Sequence, residues 1–163
     1  MTAKIDRHGS AEVTLPSDTE YLITRVFDAS ADAIFRALTT PELVKRWWGF
    51  ETSEWLVCDI DLRVGGKWRF VIKDRGMEVG FNGEYVELDG PHHMVHTEAY
   101  EGAPDAPPGV LTTTLEEVDG VTTMTVLCRY PSKEIRDIVI DSGMESGMQV
   151  SYDRLEDLVR AGA

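Results

Sequence analysis

Hydrophobic and polar positions divide this chain into a long stretch of period two and a terminal stretch of period near 3.6. The clearest helical pattern is the last one, residues 142–160. There Met144, Met148, Ser151, Tyr152, Leu155, Leu158 and Val159 recur at spacings of three and four and line one face. Glu145, Gln149, Asp153, Arg154, Glu156, Asp157 and Arg160 fall mostly on the other, and Gly162 suits a C-terminal cap. The apolar face changes character along its length. Leu155, Leu158 and Val159 are ordinary core residues, whereas the first half holds Gly143, Met144, Gly147, Met148 and Tyr152. A glycine inside a helix costs roughly 1 kcal/mol against alanine. Two of them four apart therefore imply a close approach or room left open, and methionine is the side chain that adapts to an irregular surface. The pattern predicts a long helix lying across a curved sheet, sealed tightly at its end and loosely at its start.

Ahead of this helix, residues 1–18 are expected to form a flexible tail, with a short extended piece at residues 13–15, and residues 19–163 a single domain. Residues 21–27 are β-branched and aromatic, a first strand. Ser30 is placed to cap a helix over residues 31–38, whose stripe is Ile34, Phe35 and Leu38. Thr40 and Pro41 open a second helix that ends in Trp47, Trp48 and Gly49. Residues 55–130 then read as almost continuous antiparallel sheet. Leu56, Cys58, Ile60 and Leu62 alternate with Val57, Asp59, Asp61 and Arg63, and Gly65-Gly66 marks a turn. Trp68, Phe70 and Ile72 face inward on the next strand, and Phe81, Gly83 and Tyr85 share a parity on the one after. A strand over residues 92–100 follows, then a Pro- and Gly-rich loop. A hairpin around Asp119-Gly120 puts Met124, Val126, Cys128 and Tyr130 on one face. Pro131-Ser132 starts a further helical segment. Strands run together with helices set apart from them, which is the pattern of an α+β fold with the helices on one sheet face.

Composition narrows the function classes. A chain of 163 residues that is 42% apolar and 28% charged is the size and make-up of one soluble globular domain. It has no run of about 18 apolar residues and no apolar signal segment, so neither a membrane span nor export is expected, and the expected location is cytoplasmic. Cys58 and Cys128 lack metal spacing and read as reduced core residues. The formal charge of −13, with scattered basic residues, argues against nucleic-acid binding. A homodimer is expected only by default, since no residue pattern points to one.

Several stretches resemble a known family. Phe27-Asp28-Ala29-Ser30, then Ile34 to Thr39, Pro41-Glu42-Leu43 and Trp47-Trp48-Gly49 are similar to the opening of bacterial AHSA-type proteins. These are homologues of the activator of the heat-shock-protein-90 ATPase within the SRPBCC (START/Bet v 1-like) superfamily. The likeness continues through residues 58–66, Trp68-Arg69-Phe70, Gly83-Glu84-Tyr85, residues 129–132 and residues 143–148 with Leu155, covering roughly residues 20–160 in order. The resemblance implies a helix-grip fold: a bent antiparallel sheet wrapped round the terminal helix, with an apolar cavity between. It also implies a functional range from hydrophobic-ligand carriers through cyclases to co-chaperones of the stress response, and does not choose among them.

Candidate chemistry follows from the inward positions. Trp68, Phe70, Phe81, Tyr85, Met94, Met124, Cys128, Met144, Met148 and Tyr152 converge between sheet and helix, either as plain core or as the lining of a pocket for a small apolar or aromatic ligand. Trp47 and Trp48 point about a hundred degrees apart on a helix, so one can plug the core while the other lines a cavity mouth. His92, His93 and His96 invite a metal reading, but His93 points away from the other two, which lie far apart along a strand, so no metal and no cofactor are expected. Met94 faces inward and His96 and Glu98 share its parity; they are hydrogen-bonded polar tips, an outward pair, or a proton-transfer pair in an apolar pocket. No nucleophile elbow, phosphate loop or dinucleotide fingerprint is present, and no catalytic residue is assigned. The favoured function is binding of a small hydrophobic molecule between sheet and terminal helix. The alternatives are a cofactor-free cyclase, dehydratase or hydrolase acting through polar cavity groups, and a co-chaperone-like interaction module with a chaperone partner.

Overall fold

The structure, a computed structural model, describes residues 11–162. Its elements are β1 (Glu12–Ser17), β2 (Glu20–Phe27), α1 (Ala31–Thr39), α2 (Pro41–Trp47), β3 (Glu54–Ile60), β4 (Lys67–Asp74), β5 (Met77–Asp89), β6 (His93–Tyr100), β7 (Gly109–Val118), β8 (Val121–Arg129), α3 (Lys133–Asp141) and α4 (Met144–Arg160). All eight strands form one antiparallel sheet in the order β1-β2-β8-β7-β6-β5-β4-β3. The α1–α2 hairpin carries the chain from β2 across to β3 at the opposite edge. This is an α+β helix-grip fold, the class the sequence pattern predicts. Among the described residues no helix is long and apolar enough to cross a membrane.

The helices start where local chemistry says they should. Ser30 accepts a hydrogen bond from the Ala33 amide at 3.1 Å and caps α1; Ser132 caps α3 in the same way through Ile135, at 3.2 Å. Thr40 is the cap of α2 by backbone geometry, with Pro41 at the first helical position, but its side chain makes no capping bond. Gly143 stands before α4 at φ +87°, a left-handed conformation that favours glycine, so its role is to turn the chain between α3 and α4. Gly147 has open space beside it, its nearest neighbour being a ring atom of Phe50 at 3.9 Å. Of the two alternatives the glycines left open, room rather than close approach is the one realised.

Three features differ from the pattern. The tail expected over residues 1–18 ends earlier, because Glu12–Ser17 pairs with β2 as an edge strand. Ala11 and Gln149 of α4 also exchange two hydrogen bonds, of 3.0 and 2.9 Å. The first ten residues of the expected tail lie outside the described ones. Second, the alternation of Leu56, Cys58, Ile60 and Leu62 fails. Leu56 is the extra residue of a β-bulge between Trp55, opposite Ile72, and Val57, opposite Val71. Leu56 and Leu62 are exposed, and the inward set is Trp55, Cys58 and Ile60. Third, Glu156, expected on the outer face of the last helix, is buried. It receives Arg25, a fully buried arginine of β2, at 3.1 Å; Arg25 also reaches Asp153 at 2.9 Å and lies over the Phe27 ring.

The interior consists of two apolar clusters. One joins β2, β7, β8, α1 and the end half of α4 through Ile23, Phe27, Ile34, Leu115, Met124 and Leu155. The other joins α2 to β3, β4, β5 and β6 through Val44, Trp68, Phe70, Tyr85 and Met94. Phe35 and Trp48 border both. Since β6 lies between β7 and β5, the two clusters meet along it.

Candidate functional site

Residues on that seam are aimed by two backbone devices. A bulge at Val86 breaks the alternation of β5, so that Tyr85, opposite His96, and Leu88, opposite Met94, both turn inward. Gly83 leaves room that any side chain would fill: a β-carbon there would clash with the Thr97 carbonyl and lie 2.6 Å from the Trp68 indole nitrogen. Through this gap Trp68 Nε1 donates to the Thr97 carbonyl at 3.1 Å. Thr97 Oγ1 in turn accepts from the Glu84 amide at 3.0 Å. Thr97 is thus held from the β4–β5 side, and its neighbours in sequence, His96 and Glu98, are presented to the concave face.

His96 packs edge-on against Trp68, with ring centroids 5.6 Å apart, and lies 6.2 Å from the Tyr85 ring. Its Nδ1 is buried without a hydrogen-bond partner. Burial pushes the imidazole down to about 4, so it is neutral at neutral pH. Glu98 is enclosed just as deeply, and burial pushes its carboxyl up to about 7. Among the described residues no hydrogen bond or ion pair partners that carboxyl. His96 and Glu98 are two residues apart on one strand, roughly 7 Å along it, and no hydrogen bond joins them. Across the seam, Glu98 helps to hold the protons of Cys128, Tyr130 and Tyr152, although burial is the first cause of each shift. The Cys128 thiol is pushed up to about 12 and is therefore unreactive. Tyr130 stacks on Tyr21 at 5.9 Å, the two hydroxyls 3.4 Å apart.

The remaining candidates separate into two groups. Trp47, Met124 and Cys128 are interior packing of the first cluster; Trp47 donates its Nε1–H to the Ala37 carbonyl at 2.8 Å and holds α2 on α1. Trp68, Phe70, Tyr85 and Met94 are buried in the second. Trp48, Phe81, His96, Met144, Met148 and Tyr152 are only partly covered. Trp48 sits amid Trp55, Phe70 and Phe81 at centroid distances of 5.4–5.7 Å. Tyr152 lies between Trp47 and Phe27, at 6.2 and 6.3 Å. Met144, Met148 and Tyr152 border the first cluster from α4. Trp55 and Tyr130 are not among the lining residues that the sequence pattern singles out. Parity with Cys128 is the signal that could have found Tyr130; Trp55 carries no such signal, because the bulge hides it. Of the other histidines, His92 contacts the Leu115 carbonyl at 3.3 Å and His93 pairs with Glu87 at 3.1 Å. Among the described residues no three His, Cys, Asp or Glu side chains come together as a metal site. Cys58 and Cys128 are free thiols.

A curved antiparallel sheet gripping a long terminal helix, with ionisable groups set in an otherwise apolar seam, defines a helix-grip domain of the ligand-binding or co-chaperone-like class. The chain belongs to the family of activator of Hsp90 ATPase homolog 1-like proteins, whose profile matches residues 28–160. A search among curated proteins finds no match. Among solved structures, a protein of Rhodobacter sphaeroides is similar at a TM-score of 0.85 with 26% identity, over 94% of this chain and 100% of that one. Protein Ms6760 of Mycobacterium smegmatis is similar at 0.82 with 26% identity, over 93% and 97%. An HSP90 activator of Plasmodium falciparum shares the fold at 0.67 with 18% identity, over 87% and 96%.

Proposed function

We propose that this protein binds a small hydrophobic or aromatic molecule in the seam between the concave sheet face and the first half of α4. The observation that carries this reading is the state of His96, Glu98 and Tyr152. Each is set deep among protein atoms, yet each keeps accessible surface, and Glu98 has no partner among the described residues. Polar groups this deep are ordinarily satisfied; an unpaired carboxyl that keeps accessible surface faces a space a ligand can enter. The open flank of Gly147 and the adaptable Met144 and Met148 supply the entry side. The lining is aromatic and thioether-rich with few polar groups, which suits an apolar molecule carrying one or two polar atoms.

An environment-sensitive apolar dye titrated into the native protein tests this reading. Saturable binding of about one dye per chain, abolished by Met148→Trp in a variant that keeps its unfolding midpoint, is the expected result. Absence of binding, or binding that Met148→Trp leaves untouched, would sink it.

A co-chaperone-like interaction is the second reading, favoured by family membership together with exposed apolar residues at the β3–β5 end of the sheet. Val64 and Val86 flank the hydrogen bond from the Gly65 amide to the Tyr85 carbonyl, and both are exposed, as is Leu62. Under this reading Val64→Lys with Val86→Lys abolishes stimulation of an Hsp90-type ATPase while leaving dye binding intact; a protein without such stimulation excludes it.

A further inference from the structure

We propose that the ligand carries an amine on its apolar or aromatic body, and that the Glu98 carboxylate is the group that receives it. This inference rests on the binding reading above and names the chemistry of the same seam. Glu98 is an acid without a matching donor. The buried carboxylate of Glu156, by contrast, takes Arg25 and the Asp28 amide. Glu98 takes none among the described residues, and no cation faces it. The groups turned toward it are His96 on its own strand, Cys128 on β8 with Tyr130 just beyond, and Tyr152 on α4. Tyr21 on β2 lies behind Tyr130, and Tyr85 on β5 beside His96. All of these are neutral at neutral pH, and Arg25, whose charge reaches Tyr152, is held by Asp153 and Glu156.

A carboxylate in such a setting discriminates by sign. An anionic ligand would place a second negative charge beside it, which is costly at low dielectric. An uncharged hydrocarbon would bury the carboxyl further and keep it protonated. A protonated amine supplies the missing donor and counter-charge, and the faces of Trp68, Tyr85 and Tyr152 stabilise a cation laid over them. Amine binding then expels the Glu98 proton, so affinity for the amine rises with pH across the titration of that carboxyl.

Three naphthalenes of similar shape test the proposal: 1-methylnaphthalene, 1-naphthylmethylamine and 1-naphthylacetate. Each is titrated calorimetrically into wild type and Glu98→Gln at about pH 6 and about pH 8. The expected result is that the amine binds wild type at least about tenfold tighter than the acid at the higher pH. Its affinity rises between the two pH values, and Glu98→Gln removes both effects. The pH arm uses wild type alone, so it holds even where the variant folds poorly. If 1-methylnaphthalene binds but the amine gains nothing over it, or keeps its advantage in Glu98→Gln, the amine proposal is overturned and the binding reading stands. If none of the three binds, both fall.

Discussion

At the scale of single residues, His96 and Glu98 make opposite contributions to stability, and pH separates them. Folding lowers the His96 value from the usual 6.5 to about 4, so in that interval the unfolded chain holds a proton that the folded protein lacks. Stability from this group therefore increases as pH rises through the interval and is lost as it falls. Folding raises Glu98 from the usual 4.5 to about 7, so the folded protein keeps a proton the unfolded chain has released, and stability from this group declines as pH rises through that window. The two effects oppose one another at mildly acid pH, and above the histidine window only the Glu98 decline remains. Each pH unit between the folded and unfolded values of a carboxyl is worth ~1.4 kcal/mol, so Glu98→Gln should match wild type at about pH 4.5 and exceed it by a few kcal/mol by about pH 8. Urea denaturation across this range measures the difference, and a gap that does not change with pH contradicts the assignment. The parity of residues 92–98 made the inward direction of His96 and Glu98 legible in the sequence. Their lack of a mutual hydrogen bond was not legible, because it depends on β6 spacing and on the anchor that Trp68 places on Thr97 across Gly83.

At the scale of elements, Arg25 is the group that fixes the second half of α4 to the sheet. Its guanidinium is fully buried against Glu156 and reaches the exposed Asp153, tying β2 to the second half of the helix. Breaking a buried ion pair by removing one partner leaves an uncompensated charge and typically costs about 3–5 kcal/mol. Arg25→Met should lose about that much in urea denaturation, and Arg25→Met with Glu156→Leu should regain a good part of it. A double variant no more stable than the single one would show that the loss comes from packing around Phe27 rather than from the orphaned carboxylate. Helical spacing placed α4 and its Leu155, Leu158 and Val159 face correctly. The same rule put Glu156 outward, because a binary apolar–polar reading cannot foresee a glutamate turned inward to meet an arginine on a distant strand. Strand alternation likewise failed where bulges add a residue, at Leu56 and Val86, and those bulges bring Trp55 and Leu88 into the interior.

At the scale of the whole molecule, the α+β architecture, the helical hairpin after the second strand and the gripping helix were all legible from periodicity and capping. The division of the core was not, since which inward residues touch one another depends on sheet order and curvature. Thus Trp47 and Met124 share the inward pattern of Met148 yet are packed solid, while Met144 and Met148 are only partly covered. Both functional readings of Glu98 and His96 depend on this seam admitting a ligand, and the methionines report on it. Protein labelled at methionine methyl groups, titrated with 1-methylnaphthalene and followed by NMR, should show saturable shifts at Met144 and Met148. Met77 should stay still, because at 70% exposed it stands outside the fold's interior. Shifts confined to Met77, or no shift at any methionine up to the solubility of the probe, would mean that the space between sheet and helix is closed packing and that the binding reading is wrong.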